Sequence, residues 1–446
     1  MWKKIKHAGG ILIAALLLLA LFVPETERED DGKIHIRYWY VTGAKEQIPY
    51  HVKKFNEIQD RIVVEPTALP WNEHEKKILT SILSDDPPDV VNLITPVAKW
   101  ASRMALTPID NLIKKDSFDH SIFFPALWKE MKWQNRVFAL PLYSNSYAFF
   151  YNKKLFREAG LDPENPPKTW NEVKSAARKL TKKNEKNHFT QMGFIPHYGN
   201  LQTSIIMAWE LGAEILDADG KTVNLDSPQM IKALQWEVDY FNEYSLKDVS
   251  SFMAGFGYAD QHGFISEKVA MMILDNTFVD QIELYNPDLD YGVSVIPTFS
   301  GYPPASSSGS WWVGIPRGSK NIEAAWEFIK FSVQKEIQLE ESQSQQEILF
   351  PANELAAGDS SFIKGKEPLR VLVDMMQYAH SPTIVPLAHD IFWREFLGAR
   401  ERSMNKIESP ETALRKAEET IQYQLNQAIE YDSYVRTKMN FEEALN

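Results

Sequence analysis

Apolar and polar residues alternate from Lys33 to Val41 (KIHIRYWYV), which predicts a strand with one buried face. From Glu46 to Gln59 the spacing becomes that of an amphipathic helix. Arg61 to Ala68 returns to strand and Trp71 to Ser84 to helix, and Asp86-Pro87-Pro88-Asp89 turns the chain into a third strand, Val90 to Ile94. This β-α-β-α-β rhythm calls for a mostly parallel sheet covered by helices. Ligands of such sheets bind beyond the carboxyl ends of the strands. That rule nominates Trp39, Tyr40, Thr42, Asn92 and Thr95.

Further on, Val97 to Ala105 reads as a helix and Trp133 to Leu140 as a hairpin with Asn135 at its turn. Tyr147 to Tyr151 is a dense aromatic strand. A helix from Lys153 to Ala159 follows, with Gly160 where a C-cap glycine belongs. After the turn from Pro163 to Pro167, Thr169 caps a helix that Trp170 opens and Glu172 supports, reaching about Thr181. Phe189 to Ile195 is a strand, His197 to Asn200 a polar loop, and Leu201 to Leu211 an apolar helix ended by Gly212. Asp217, Asp219 and Gly220 imitate a calcium loop, but Asp-Gly between two short alternating runs is a hairpin turn and the later ligands are missing, so no metal is expected. Pro228 to Tyr244 is a helix, Ser245 to Asp260 a loop, Phe264 to Leu274 a helix end running into a strand, and Tyr291 to Pro297 a strand. The small-residue stretch Pro303 to Ser310 reads as a linker or as a hinge crossing. Ala324 to Phe331 is a core-facing helix, and the remainder is helical with a loop from Phe350 to Asn353.

Length and charge narrow the class. With 446 residues, 44% hydrophobic and 24% charged, the chain can bury the cores of two domains. A net charge of −12 without a basic stripe argues against nucleic acid as a partner. Cysteine is absent, so there is no disulfide and no thiolate chemistry. Lys3, Lys4 and Lys6 precede an apolar run from Ala8 to Val23, and acidic residues follow from Glu25 to Asp31, an asymmetry that places the body of the protein outside the cell. The run fits either an uncleaved anchor, the favoured reading, or a cleaved signal.

The string YNKKLF, then Gly160-Leu161, then Pro167-Lys168-Thr169-Trp170, closely resembles a signature of the extracellular solute-binding proteins of ABC importers, the family that includes maltose-binding protein. The Trp39 strand, DPPDVV, KVAMMI and YGVSVIPTFSG occur in the same order as in that family, so the resemblance spans about Lys33 to Gln427. It implies an α/β, two-lobed periplasmic-binding-protein fold (type II), each lobe a mostly parallel sheet flanked by helices, with the ligand cleft between. The expected division is 1–31 for the signal or anchor and linker, 32–142 and 301–342 for the first lobe, and 143–300 and 343–446 for the second. It further implies an exported, monomeric receptor that needs no cofactor, takes a carbohydrate, and delivers it to the permease of an ABC importer, tethered to the membrane through its N-terminal segment. Ser266 stands where the family's glycine is usual, and the lipoprotein cysteine of many relatives is missing.

Sugars present flat C–H faces and a belt of hydroxyls, so a cleft for them needs aromatic platforms beside planar polar groups. The chain has 13 Trp, 17 Tyr and 24 Phe, most of them destined for the core. Besides the five strand-end residues, the resemblance and the strand positions single out Asn145 and Tyr147 past the crossing, Asn200 and Gln202 before the apolar helix, and Asp275, Asn276 and Thr277 after KVAMMIL. They also single out Ser310, Trp311 and Trp312, of which one indole is expected to reach ligand, with Trp393, Trp71 and Asn353. Thr277 replaces a usual tryptophan, which implies a changed pocket wall. No protease, hydrolase or P-loop motif is present. The alternatives are a carbohydrate-active enzyme with two facing carboxylates and the ligand-binding component of a membrane sensor.

Overall fold

The computed structural model describes residues 31–42, 47–198, 201–344 and 350–438. Eleven strands build two sheets among them: β1 (Ile34–Thr42), β2 (Ile62–Pro70), β3 (Val90–Leu93), β4 (Ala139–Ser144), β5 (Tyr147–Asn152), β6 (Lys182–Lys183), β7 (Phe189–Phe194), β8 (Val269–Asp275), β9 (Tyr291–Ser294), β10 (Ser310–Gly314) and β11 (Phe350–Pro351). The first sheet has the order β11-β4-β10-β3-β1-β2 and the second β9-β5-β8-β7-β6.

The alternation in β1 does what it predicts: Ile36, Tyr38 and Tyr40 are buried while His35, Arg37 and Trp39 are half-buried. β1 runs parallel to β2 and β3, as β-α-β units require. The sheets are nevertheless mixed and not mostly parallel. β4, β10 and β11 pair antiparallel in the first sheet, and in the second only β8 and β7 are parallel. The reason is connectivity: β4 leaves one sheet and continues straight into β5 of the other, so strands at the crossings carry directions that no helical crossover sets.

That crossing is Asn145-Ser146, two residues later than a boundary at 142 would put it. Phe350–Pro351 pairs with β4, so the segment from 343 does not pass directly to the second sheet. Thr169 and Glu172 form the expected capping box. The helix they start, Trp170–Leu180, packs so tightly on β7 that a Cβ at Gly193 would lie 2.4 Å from Ala177 backbone atoms, which leaves glycine as the residue that fits. The stretch Ser245 to Asp260, expected as loop, contains a helix, Leu246–Met253, with the Ser245 side chain accepting from Asp248 N–H. Serine before an apolar-periodic segment was the start signal there. Among the described residues no helix is long and apolar enough to cross a membrane, and the run Ala8 to Val23 lies outside them.

The candidate ligand cleft

Among the described residues three crossings, at 145–146, 295–309 and 352–383, run between the sides of the two sheets and are laced to one another. The Asn145 side-chain oxygen accepts from Gly309 N–H at 2.8 Å, the Ser306 hydroxyl donates to Tyr147 C=O at 3.0 Å, and Ser308 N–H donates to His380 C=O at 3.0 Å. Ser306–Ser307 and Ala379–His380 form a short parallel pair. Beside these crossings lies a cavity of about 540 Å³, within the range of small-molecule sites.

Of the residues nominated from sequence, Thr95, Asn145, Tyr147, Ser310, Trp311, Trp312 and Trp393 line this cavity. The strand position of each explains the placement: Thr95 follows β3, Asn145 and Tyr147 flank the first crossing, and Ser310 opens β10. A register shift between Trp311 and Trp312 brings both indoles to the wall, but Trp312 is 1% exposed and its N–H is spent on Thr95 C=O at 2.7 Å, leaving Trp311 as the open platform. Trp71 does not line the cavity. It stands edge-on behind Trp311 with ring centroids 5.2 Å apart.

The others serve the frame. Trp39 packs against the core and Tyr40 is buried within it, stacked on Tyr38. Asn92 is buried and donates to Trp312 C=O at 3.0 Å, tying β3 to β10. Asn276 holds Ser146 through its side chain and its N–H, both at 3.1 Å. Asp275 lies across from Tyr147 on the neighbouring strand, and Thr277 donates to it from both N–H and hydroxyl. Asn353 caps the helix Glu354–Ala357 and is 2% exposed. Polar residues at strand ends are needed to pair crossing backbone as often as to meet ligand, which is why the strand-end rule over-selects here. Asn200 lies outside the described residues. Thr42 and Gln202 are described in backbone only, as ends of short or long strands.

Several wall residues escaped the sequence reading. Trp209 comes from the apolar helix Thr203–Glu210, His389 and Leu397 from the helix that carries Trp393, and Pro382 and Thr383 from the third crossing. Glu130 ends the helix Pro125–Glu130, a stretch with too short a period to read. A lone Trp within an apolar helix was the one available signal, and it is indistinguishable from core packing in sequence.

The electrostatics are simple. Among the described residues, neither Lys nor Arg lines the cavity, and its titratable side chains besides Tyr147 are Glu130 and His389. Burial pushes Glu130 up to about 7, against hydrogen bonds from Ser381, the Ser310 backbone and Thr383. Burial also holds His389 below its ordinary value. Burial first, then the nearby Asp275 charge, raise the Tyr147 phenol. Among the described residues there is no cluster of three metal-ligating side chains.

Two sheets with flanking helices, three crossings and an aromatic cavity beside them define a two-lobed solute receptor of the periplasmic-binding-protein type. The chain belongs to the bacterial extracellular solute-binding protein family, whose model matches residues 39–339. It is thus an exported binding protein and not an enzyme. A binding protein of Brucella abortus (strain 2308) is 25% identical over 422 residues, 89% of this chain and 92% of that protein. The sn-glycerol-3-phosphate-binding periplasmic protein UgpB of Rhizobium meliloti (strain 1021) is 25% identical over 320 residues, 68% of this chain and 72% of its own. Among solved structures, CpMnBP1 with mannotriose bound is 26% identical, with a TM-score of 0.70 over 87% of this chain and 100% of that one. The sugar-binding protein MalE of Xanthomonas citri, 18% identical, shares the fold with a TM-score of 0.74 over 88% of this chain and 98% of its own.

Proposed function

We propose that the protein captures a carbohydrate of oligosaccharide size by closing its lobes and hands it to the transmembrane permease of an ABC importer. The observation that carries this is the set of three tryptophans, Trp209, Trp311 and Trp393, around one cavity with Asn145, Tyr147 and Ser310 between them. Stacked faces with interleaved amide and hydroxyl groups are what sugar rings require. A phosphorylated polyol, the ligand in the name of the UgpB relative, would need cationic partners, and none lines the cavity among the described residues. In this reading the lobes are 32–144 with 310–351 and 147–300 with 384–438, the protein works as a monomer, and Ala8 to Val23 stays uncleaved as its membrane tether.

A thermal-shift panel of neutral oligosaccharides and glycerol phosphate tests the ligand class, because a ligand that binds only the folded state raises the melting temperature by mass action. A shift with a saccharide, recovered unhydrolysed, supports the reading. A shift with glycerol phosphate alone overturns it. N-terminal sequencing of the exported protein tests the tether, since a new start between Phe22 and Asp31 would mean a cleaved signal.

A further inference from the structure

Glu130 stands at the neck between the main cavity and an adjoining chamber of about 460 Å³, lining both. Its carboxylate accepts from the Ser381 hydroxyl and is also held by Thr383 and by the backbone of Ser310. Ser381 and Thr383 belong to the third crossing and Ser310 opens β10 directly after the second, so the acid is fixed in place where the lobes hinge.

What it lacks is a cation. Lys129 and Lys132 open only into the adjoining chamber, together with Glu214 and His380, and no described Lys or Arg reaches the main cavity. His389, the other titratable group on that wall apart from Tyr147, is held towards neutrality by burial. Burial alone therefore dominates Glu130 and lifts it to about 7. A desolvated carboxylate without a counter-charge is costly unless a partner supplies one. Trp209, Trp311 and Trp393 line the same cavity, and indole rings attract cations.

We propose that Glu130 recognises an ammonium group of the ligand, so that the cleft prefers an oligosaccharide with free amino groups, of the glucosamine type, over its N-acetylated or phosphorylated counterparts. The inference rests on the saccharide reading above and narrows it. The ligand's pyranose faces stack on the indoles, and its ammonium supplies the charge the cavity wall does not.

Isothermal titration of the full chain with the glucosamine trimer, the N-acetylglucosamine trimer, mannotriose and sn-glycerol 3-phosphate decides it. The amine is expected to bind about tenfold or more tighter than its acetylated form, as a charge-assisted contact warrants. In Glu130→Gln, which keeps an acceptor for Ser381, that ratio should collapse towards one. Should the variant fail to fold, the wild-type ratio itself must fall as the pH is taken from 7 to 5, because protonation of Glu130 removes the charge that the ammonium meets. A ratio near one in the wild type, a ratio that survives Glu130→Gln, or a ratio unchanged between pH 7 and pH 5 overturns the inference. Binding of the neutral sugars as tightly as the amine sinks the inference alone, whereas binding of glycerol phosphate and of no saccharide sinks the saccharide reading with it.

Discussion

Trp209 and His380 lie face to face, their ring centroids 4.8 Å apart and their planes 11° from parallel. The pair joins the helix Thr203–Glu210 to the third crossing, and Trp209 lines both chambers while His380 lines only the second. Desolvation beside the indole first, and the charge of Lys129 second, lower the His380 pKa. Trp209→Ala should weaken saccharide binding by about ten- to a hundredfold, since an aromatic platform contributes on the order of 1–3 kcal/mol. His380→Ala removes only the backing of the indole and should weaken it a few-fold. Titration calorimetry on the two variants checks the order, and an effect of His380→Ala equal to that of Trp209→Ala would mean that the imidazole itself meets ligand.

Trp393→Ala and Asn145→Ala should part company. The Trp393 ring packs edge-on against Phe392 and Phe396 at the cavity wall, so its loss should reduce affinity with a small drop in melting temperature. Asn145 carries the Gly309 N–H at 2.8 Å, and removing that partner leaves a polar group of the hinge unpaired at about 1–3 kcal/mol. Asn145→Ala should therefore lower both affinity and melting temperature, the latter by about 1–3 °C for a chain of this size. Calorimetric scans beside binding curves separate the two cases.

Glu210, next to Trp209, is 2% exposed and accepts from the Trp170 indole N–H at 2.8 Å. Burial pushes its carboxyl from an ordinary 4.5 up to about 8, with the Trp170 bond opposing. The raised value means that the folded protein holds this proton more tightly than the unfolded chain. Its contribution to stability is full below 4.5 and is lost as pH rises towards 8. Glu210→Gln has no proton to lose, so between pH 5 and pH 9 its melting temperature should climb relative to wild type, by an amount corresponding to on the order of a few kcal/mol. A gap between the two proteins that does not change with pH would show that Glu210 does not titrate in this range.

The C-terminal helix Pro410–Lys438 is fastened at two distant places. Gln422 and Glu418 accept from Val223 and Asp226 N–H at 2.9 Å each. Nearer its end, Asp432 accepts at 2.9 Å from Gln134, at the hairpin that also pairs with Ile109 on the side of the first sheet. A helix held on both sides restrains lobe motion, and two lobes on three crossings are expected to shift between open and closed forms. Small-angle scattering should show a smaller radius of gyration with saturating sugar, and Gln134→Ala should move the unliganded curve away from that of the present conformation. An unchanged curve in both experiments would count against hinge closure.

Much of this architecture is written in local pattern. Alternation located β1, capping chemistry located the helix that Thr169 starts, and the order of short strings located the family. These signals work because each is settled within a few residues: which face of a strand is buried, or which side chain satisfies an orphan N–H. Strand direction was not local. β4 and β10 are antiparallel neighbours although about 170 residues separate them, and only the three crossings decide it. The same holds for the site. Thr95, Tyr147 and Trp311 could be nominated because strand ends converge in such folds, while Asn92, Asn276 and Asn353 look identical in sequence and turn out to hold backbone. Trp209 and Glu130 carry the opposite lesson. Nothing in an apolar helix or a single acidic residue reveals which side will face a cavity, because a pocket is the space left between elements distant in sequence, and only their packing creates it.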